Sequence, residues 1–216
     1  MPISEVYNCD CLEYMRSLPD KYFDLTIADP PFGINIHKSG RLKKYNQQWV
    51  DDEIPKKAVF DEMFRVSKDV IIWGGNYFLD YLGSTKCFLI YDKKQPQGIS
   101  FASCEFAWTS FDSVAKTFYY SPMQMKDRIH SCQKPIELYA WILDNYAMGG
   151  GGGDKIFDPF LGSGSSRIAA YKKGFDFYAC ELDKDYYDAQ EERFRRECFG
   201  EIKTNDGKVV TNLSLF

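Results

Sequence analysis

The chain has 216 residues, of which 44% are hydrophobic and 17% aromatic, with a formal net charge of −4. That length suits one well-filled domain and excludes two of ordinary size, and the apolar content excludes a disordered chain. The acidic balance means that any polyanionic partner would have to be met by a local basic patch. In chain order, 6–8 reads as a short strand, 12–18 as a short helix stopped by Pro19, and Leu25 to Ala28 as a buried strand. The stretch 55–66 has helical spacing through Val59, Met63 and Val66, Val70 to Trp73 is a continuous apolar run, and 76–82 allows one or two helical turns. Strands are predicted over 87–91, 106–109 and 117–120 from their β-branched and aromatic content. A helix over 135–146 starts on a proline and carries Ile136, Tyr139, Ala140, Leu143 and Tyr146 on one face. Five glycines, 149–153, form a connection, followed by a strand at Ile156 and Phe157, a helix over 165–173, a strand over 175–180 and a charged helix over 183–198. Such alternation predicts an α/β fold with a doubly wound, mostly parallel sheet.

Seven cysteines at 9, 11, 87, 104, 132, 180 and 198 have neither disulfide-like nor knuckle-like spacing, and there are only two histidines. A reducing compartment and no structural metal are expected. The sequence begins without a positive leader, and no apolar run approaches the ~18 residues needed to cross a bilayer, so a soluble cytoplasmic protein with no membrane partner is expected.

Two stretches carry chemistry. Asp29-Pro30-Pro31-Phe32 closes the strand at 25–28. Two adjacent prolines fix two φ angles and remove two backbone donors, which leaves rigidly aimed carbonyls beside a carboxylate and an aromatic ring. A rigid turn is the plain alternative. The second stretch, Phe157-Asp158-Pro159-Phe160-Leu161-Gly162-Ser163-Gly164, leaves a strand, turns through glycines and enters a helix, where free N–H groups meet ligands. Glu181 ends the next predicted strand, 19 positions after Gly162, a usual place for a carboxylate that binds ribose hydroxyls. Arg167 stands where a dinucleotide fingerprint needs its third glycine, so a ligand with ribose but no pyrophosphate fits better. After the first stretch, His37, Lys38, Arg41, Lys43 and Lys44 crowd into eight residues, the one local basic patch, though a charge run is by itself most often a solvated loop.

In this order the stretches resemble the S-adenosylmethionine-dependent DNA amino-methyltransferases, specifically the circularly permuted beta group that modifies adenine N6 or cytosine N4. Asn8-Cys9-Asp10-Cys11-Leu12 is similar to the family's opening Gly-Asp-x-Leu, with Cys9 in place of Gly. Ile72-Trp73-Gly74-Gly75-Asn76-Tyr77-Phe78 resembles a segment that flanks the target-base pocket. Arg128-Ile129-His130-Ser131-Cys132-Gln133-Lys134-Pro135 resembles His-Pro-Thr-Gln-Lys-Pro, with Ser131 and Cys132 departing from the common pair. The likeness spans about residues 3 to 198 and implies a Rossmann-like class I methyltransferase fold.

The resemblance implies a reaction. Asp29 and the Pro30 carbonyl would accept hydrogen bonds from an exocyclic amine and stabilise charge developing on its nitrogen, and Pro31 would hold the turn. Phe32 would stack on a base flipped out of the duplex. S-adenosylmethionine would be held at its methionine end by Asp158, Phe160, Gly162 and Gly164 with Gln133, Lys134 and Pro135, at its ribose by Glu181, and at its adenine by Asp10 and the Cys11 backbone, leaving S-adenosylhomocysteine as product. No metal is required. DNA is the partner, met by Lys38, Arg41, Lys43 and Lys44; a homodimer stays open, as does pairing with a restriction enzyme in a restriction-modification system. Adenine N6 is favoured over cytosine N4 because cytosine enzymes more often carry Ser where Asp29 stands; RNA or protein amine methylation are further alternatives, and C5 chemistry is disfavoured because no cysteine follows a proline. The expected organisation is a single methyltransferase domain over 1–198, with target-recognition insertions near 35–50 and 92–130, and a C-terminal tail over 199–216. The tail has a turn signal at 205–207, and its end, Asn212 to Phe216, resembles the Gln-Leu-Ser-Leu-Phe peptide that docks on bacterial sliding clamps, with Leu213, Leu215 and Phe216 as anchors; an edge strand or strap over the core is the alternative.

Overall fold

The computed structural model describes residues 1–34, 53–96, 98, 101–126, 128–130, 132–147, 153–203 and 208–211. The basic run at 37–44, the glycines at 149–152, the turn at 205–207 and the clamp-like peptide at 212–216 lie outside the described residues. Ten strands and six helices follow in the order β1 (Ser4–Tyr7), α1 (Cys11–Arg16), β2 (Phe23–Ala28), α2 (Lys57–Val66), β3 (Ser67–Trp73), α3 (Leu79–Leu82), β4 (Phe88–Asp92), β5 (Cys104–Thr109), β6 (Lys116–Tyr119), α4 (Ile136–Tyr146), β7 (Lys155–Asp158), α5 (Ser165–Lys172), β8 (Asp176–Cys180), α6 (Lys184–Phe199), β9 (Glu201–Lys203) and β10 (Val209–Thr211). Eight strands form one sheet in the order β1-β8-β7-β2-β3-β5-β4-β6, and β9 and β10 pair separately as an antiparallel hairpin. Among the described strands of the large sheet, only β5 runs against its neighbours. This is the mostly parallel, doubly wound sheet that the alternation predicts.

Central strands covered on both faces read as unbroken apolar runs. Along β3, Val70 and Ile72 face a cluster with Phe60, Met63 and Phe157, while Ile71 and Trp73 face one with Leu138, Ile142 and Phe177. Helices α4 and α5 cover the second face, α1 and α2 the first. Asp10 starts α1, its Oδ1 accepting from the Leu12 and Glu13 amides at 2.7 and 3.1 Å. Asp183 caps α6 in the same way at 2.8 and 3.0 Å, and Gly200 ends it at φ 66°.

Three strands start earlier than their apolar pattern, β3 among them at Ser67, which pairs with Phe23. β1 begins at Ser4 and β5 at Cys104, because Ser4 and Glu5 pair with Phe177 and Tyr178, and Cys104 and Glu105 with Asp92 and Tyr91. Backbone pairing at a strand end leaves no apolar signature. Of the stretch 92–130, β5 and β6 belong to the sheet, so the segments left at its rim are those flanking them.

β2 and β7 are neighbours whose crossovers diverge: β2 leads through α2 to β3 on one side, β7 through α5 to β8 on the other. In an open α/β sheet the crevice outside the carboxyl ends at such a switch point is where ligands bind. Asp29-Pro30-Pro31-Phe32 leaves β2 there, and Asp158 to Gly164 leaves β7 there.

Candidate active site

Asp29, the first residue past β2, accepts a short hydrogen bond through Oδ2 from the ammonium of Lys134, the second residue before α4. Among the described residues, Oδ1 of Asp29 accepts no hydrogen bond. Lys134 is only 4% exposed and also lies 3.1 Å from Oε2 of Glu105, whose Oε1 is 2.5 Å from Lys93. Burial alone would push Lys134 down, but Asp29 and Glu105 hold it above its ordinary value. Burial likewise opposes the charge on Glu105, yet Lys134 and Lys93 bring it down to about 2. For Asp29 burial wins, and its carboxyl is raised despite Lys134.

Beyond β7, Asp158 is buried, its Oδ1 accepting from the Phe160 amide at 3.0 Å and its Oδ2 from the Ser166 hydroxyl at 2.5 Å. Burial pushes it up to about 7, with Asp29 and Glu181 adding to the rise. Glu181, directly after β8, accepts from the amides of Gly162 at 2.7 Å and Asp183 at 2.9 Å, and burial raises it too. Three carboxyl groups disfavoured as anions therefore line one crevice, a donor set that suits a cationic ligand. Gly162, at φ +53°, opens onto that space: a Cβ there would meet nothing nearer than His130 at 3.9 Å. Gly164 does something else, since a Cβ on it would press on Gln190 of α6 at 3.2 Å. It permits helix packing.

The ring of Phe32 stacks on Tyr77 with centroids 5.0 Å apart and planes at 17°. Gly74 makes room for it, and Gly75 makes room for Trp108 and Phe106 of β5. A Cβ on Gly74 would lie 2.1 Å from the Phe32 ring, and one on Gly75 would lie 2.6 Å from Cβ of Trp108 on β5. Tyr77 is 43% exposed, so an aromatic face is presented at the rim beside Asp29.

The N6/N4 methylase family model, described as a DNA methylase, matches residues 72–192. The chain belongs to this family of DNA methylases. It is 26% identical to the type II methyltransferase M.HinfI of Haemophilus influenzae, over 96% of this chain and 71% of that one. Among solved structures, the M1.HpyAVI–SAM complex superposes with a TM-score of 0.58 at 19% identity, over 88% of this chain and 98% of that one. The PvuII DNA methyltransferase, cytosine-N4-specific, superposes at 0.62 with 14% identity, over 90% and 87%.

In this methylase the loop before α4 braces itself. Gln133 accepts from the Ile129 amide at 3.0 Å, and the Lys134 carbonyl accepts from the Ser165 hydroxyl at 2.7 Å, which pins Pro135 and the start of α4 to the start of α5. The His130 ring packs on Tyr186 with centroids 4.5 Å apart and planes tilted by 51°, and burial with Lys134 nearby pushes it down to about 4. Of the residues expected to hold cofactor, Asp158, Phe160, Gly162 and Glu181 meet at the β7 and β8 ends, with Asn8 tying Asp10 and Cys11 close by through its amide to the Glu181 carbonyl at 2.8 Å. Lys134 instead has its ammonium on Asp29. The basic residues Lys38, Arg41, Lys43 and Lys44 lie outside the described residues. Sequence reasoning missed Glu105 and Lys93, whose only trace in the sequence is two charges flanking a loop.

Proposed function

We propose that this methylase transfers a methyl group to the exocyclic N6 of adenine at a specific site in double-stranded DNA, with the target base flipped into the crevice between Asp29 and Phe32. The observation that carries the reading is Asp29, rigidly placed at the switch point by two prolines, with Oδ1 carrying no donor among the described residues. An aromatic amine has its lone pair delocalised into the ring and needs acceptors that favour charge building on nitrogen. Asp29 Oδ1 and the Pro30 carbonyl serve as those acceptors and hold the nitrogen in line for displacement. Phe32, backed by Tyr77, offers the base a stacking surface.

S-adenosylmethionine is the cofactor, and when bound it supplies an electrophilic methyl group on a sulfonium. The residues present suit it: buried Asp158 and Glu181 favour a cation, and Gly162 leaves room for close approach. Asp158 and the loop through Phe160 and Gly162 hold its methionine end, Glu181 the ribose, and Asp10 with the Cys11 backbone the adenine. Asp10 spends Oδ1 on capping α1, so its other oxygen would make the contact. The basic run at 37–44 supplies phosphate contacts, and the peptide at 212–216 a docking segment for a sliding clamp.

The deciding experiment is to incubate purified protein and cofactor with unmethylated genomic DNA and map modified bases by single-molecule sequencing. N6-methyladenine within one short motif is expected. N4-methylcytosine would assign the site to cytosine, and unmodified DNA with methylated RNA or protein would move the substrate out of DNA.

A further inference from the structure

The charges around Asp29 form a line of alternating sign that runs outward from the crevice: Asp29, Lys134, Glu105, Lys93. Its far half exists because β5 is antiparallel. The C-terminal ends of the parallel strands face the crevice, and β5, running the other way, brings its second residue, Glu105, to that same rim next to Lys93 just past β4. A lysine this buried beside a single carboxylate would form a close pair in which both carboxylate oxygens are drawn to the ammonium. Here a second carboxylate, Glu105, lies 3.1 Å away as an ion pair without a hydrogen bond. The remaining side of the ammonium looks toward the rings of Trp73 and Phe32, 5.4 and 5.8 Å from their centroids. Lys134 is thus held between two anions and two aromatic faces, and engages Asp29 through one oxygen only.

We propose that Glu105 is a positioning residue for methyl transfer: acting through Lys134, and itself anchored by Lys93, it keeps the ammonium on Oδ2 of Asp29 alone, so that Oδ1 stays available to the substrate amine. The inference rests on the reading of Asp29 as the acceptor for that amine. With Glu105 neutral, Lys134 would close on Asp29 alone, and the acceptor would be turned from the substrate. The charged and titratable groups around Asp29 are Lys134, Glu105, Lys93, Asp158 and Tyr139. Of these, Glu105 pushes the Asp29 carboxyl up and Lys93 pulls it down.

The test follows the single-turnover methylation rate against pH for the full-length protein with saturating cofactor and DNA. Glu105→Gln is expected to lower the plateau about tenfold or more while cofactor affinity by calorimetry stays within about twofold. Its acid limb should move to lower pH, because an anion beside Asp29 is gone. Lys93→Gln should move the limb to higher pH, because a cation is gone. Damage to the fold would not shift the two limbs in opposite directions. Limbs that stay put or move together overturn the proposal, as do opposite shifts with an unaltered Glu105→Gln plateau. Should Glu105→Gln fail to fold, Lys93→Gln decides alone, and an unmoved limb overturns the idea. Asp29→Asn is run beside them: full activity in that variant would remove the reading of Asp29 itself, whereas an inactive Asp29→Asn with a wild-type Glu105→Gln would remove only the role of Glu105.

Discussion

The ring of Phe32 rests against the backbone of Gly74, so closely that a methyl group on Gly74 would lie 2.1 Å from Cε1 of Phe32. Gly74 is also at φ +68°, a conformation that side chains rarely adopt. The segment after β3 is therefore shaped, at Gly74, around the aromatic ring of the segment after β2. Gly74→Ala should push Phe32 off Tyr77, costing about 1–3 kcal/mol of stability and a larger share of turnover than of cofactor affinity. Thermal melts and single-turnover rates check this, and an intact rate in the alanine variant would mean that Phe32 does not bear on the base.

Asp29→Ala removes the acceptor and leaves the β7 and β8 loops untouched. Methyl transfer should fall by about a hundredfold or more. Cofactor binding, measured by calorimetry, should largely persist, because Asp158 and Glu181 remain. Near-normal turnover would remove Asp29 from the mechanism.

Much of this was legible in the sequence. The apolar runs at β2, β3, β7 and β8 are covered on both faces by helices, so burial wrote their pattern directly. The two loops with Asp-Pro stand out by residue type, and the structure brings both to the switch point of the sheet. What the sequence did not carry depends on strand direction and order. Glu105 looks like an ordinary charge at the start of a strand, and only an antiparallel β5 between β3 and β4 brings it to the crevice. Lys134 was assigned to the cofactor from its neighbours in the chain, and its contact with Asp29, 105 positions away, is a tertiary fact. Gly164 shows the reverse: a loop glycine expected at the ligand is needed by Gln190.

Asp158 gives a pH dependence with a definite sign. Its carboxyl is raised to about 7 by burial, well above an ordinary Asp. Between those two values the folded protein binds more protons than the unfolded chain, so this group's contribution to stability falls as pH rises through that window. A cationic cofactor prefers the ionised form, so affinity for S-adenosylmethionine should rise with pH up to about 7 and then level off, with proton release on binding below that point. Asp158→Asn should flatten both trends and weaken binding. Calorimetry in buffers of different ionisation heat measures the released protons, and none at pH 6 would mean that Asp158 does not meet the cation.

Arg167 is the position that argued against a dinucleotide, and the structure shows what it does instead. Its guanidinium reaches Ser4 of β1 at 3.0 Å and Gln190 and Glu191 of α6 at 3.0 and 2.5 Å, and lies 3.7 Å over the Phe194 ring. It locks the first strand and the last long helix onto α5 while almost fully buried. Arg167→Gly, which would complete the glycine fingerprint, should lower stability by about 3–5 kcal/mol, because it removes a buried guanidinium with its bonds to Ser4, Gln190 and Glu191 and its packing on Phe194. Denaturant unfolding tests this; a loss under about 1 kcal/mol would show that the ion pair contributes little to the fold.

The last expectation concerns how an acidic chain holds DNA. With a net charge of −4 the protein as a whole repels a duplex, so attraction has to be local. Lys38, Arg41, Lys43 and Lys44 follow Phe32 by 6 to 12 positions, which ties any phosphate they touch to the neighbourhood of the flipped base. Phosphate contacts release counterions, and each one adds about 0.9 to the slope of log affinity against log salt for duplex DNA. Alanine at all four positions should reduce that slope by about 3.6 units and weaken binding to every sequence alike, while the base preference of whatever methylation remains is unchanged, because phosphates carry no sequence. Anisotropy titrations with a labelled duplex across several salt concentrations measure both quantities. A slope equal to that of the unaltered protein would put the DNA track on another face, with the rim residues Lys94 and Lys126 the next to test.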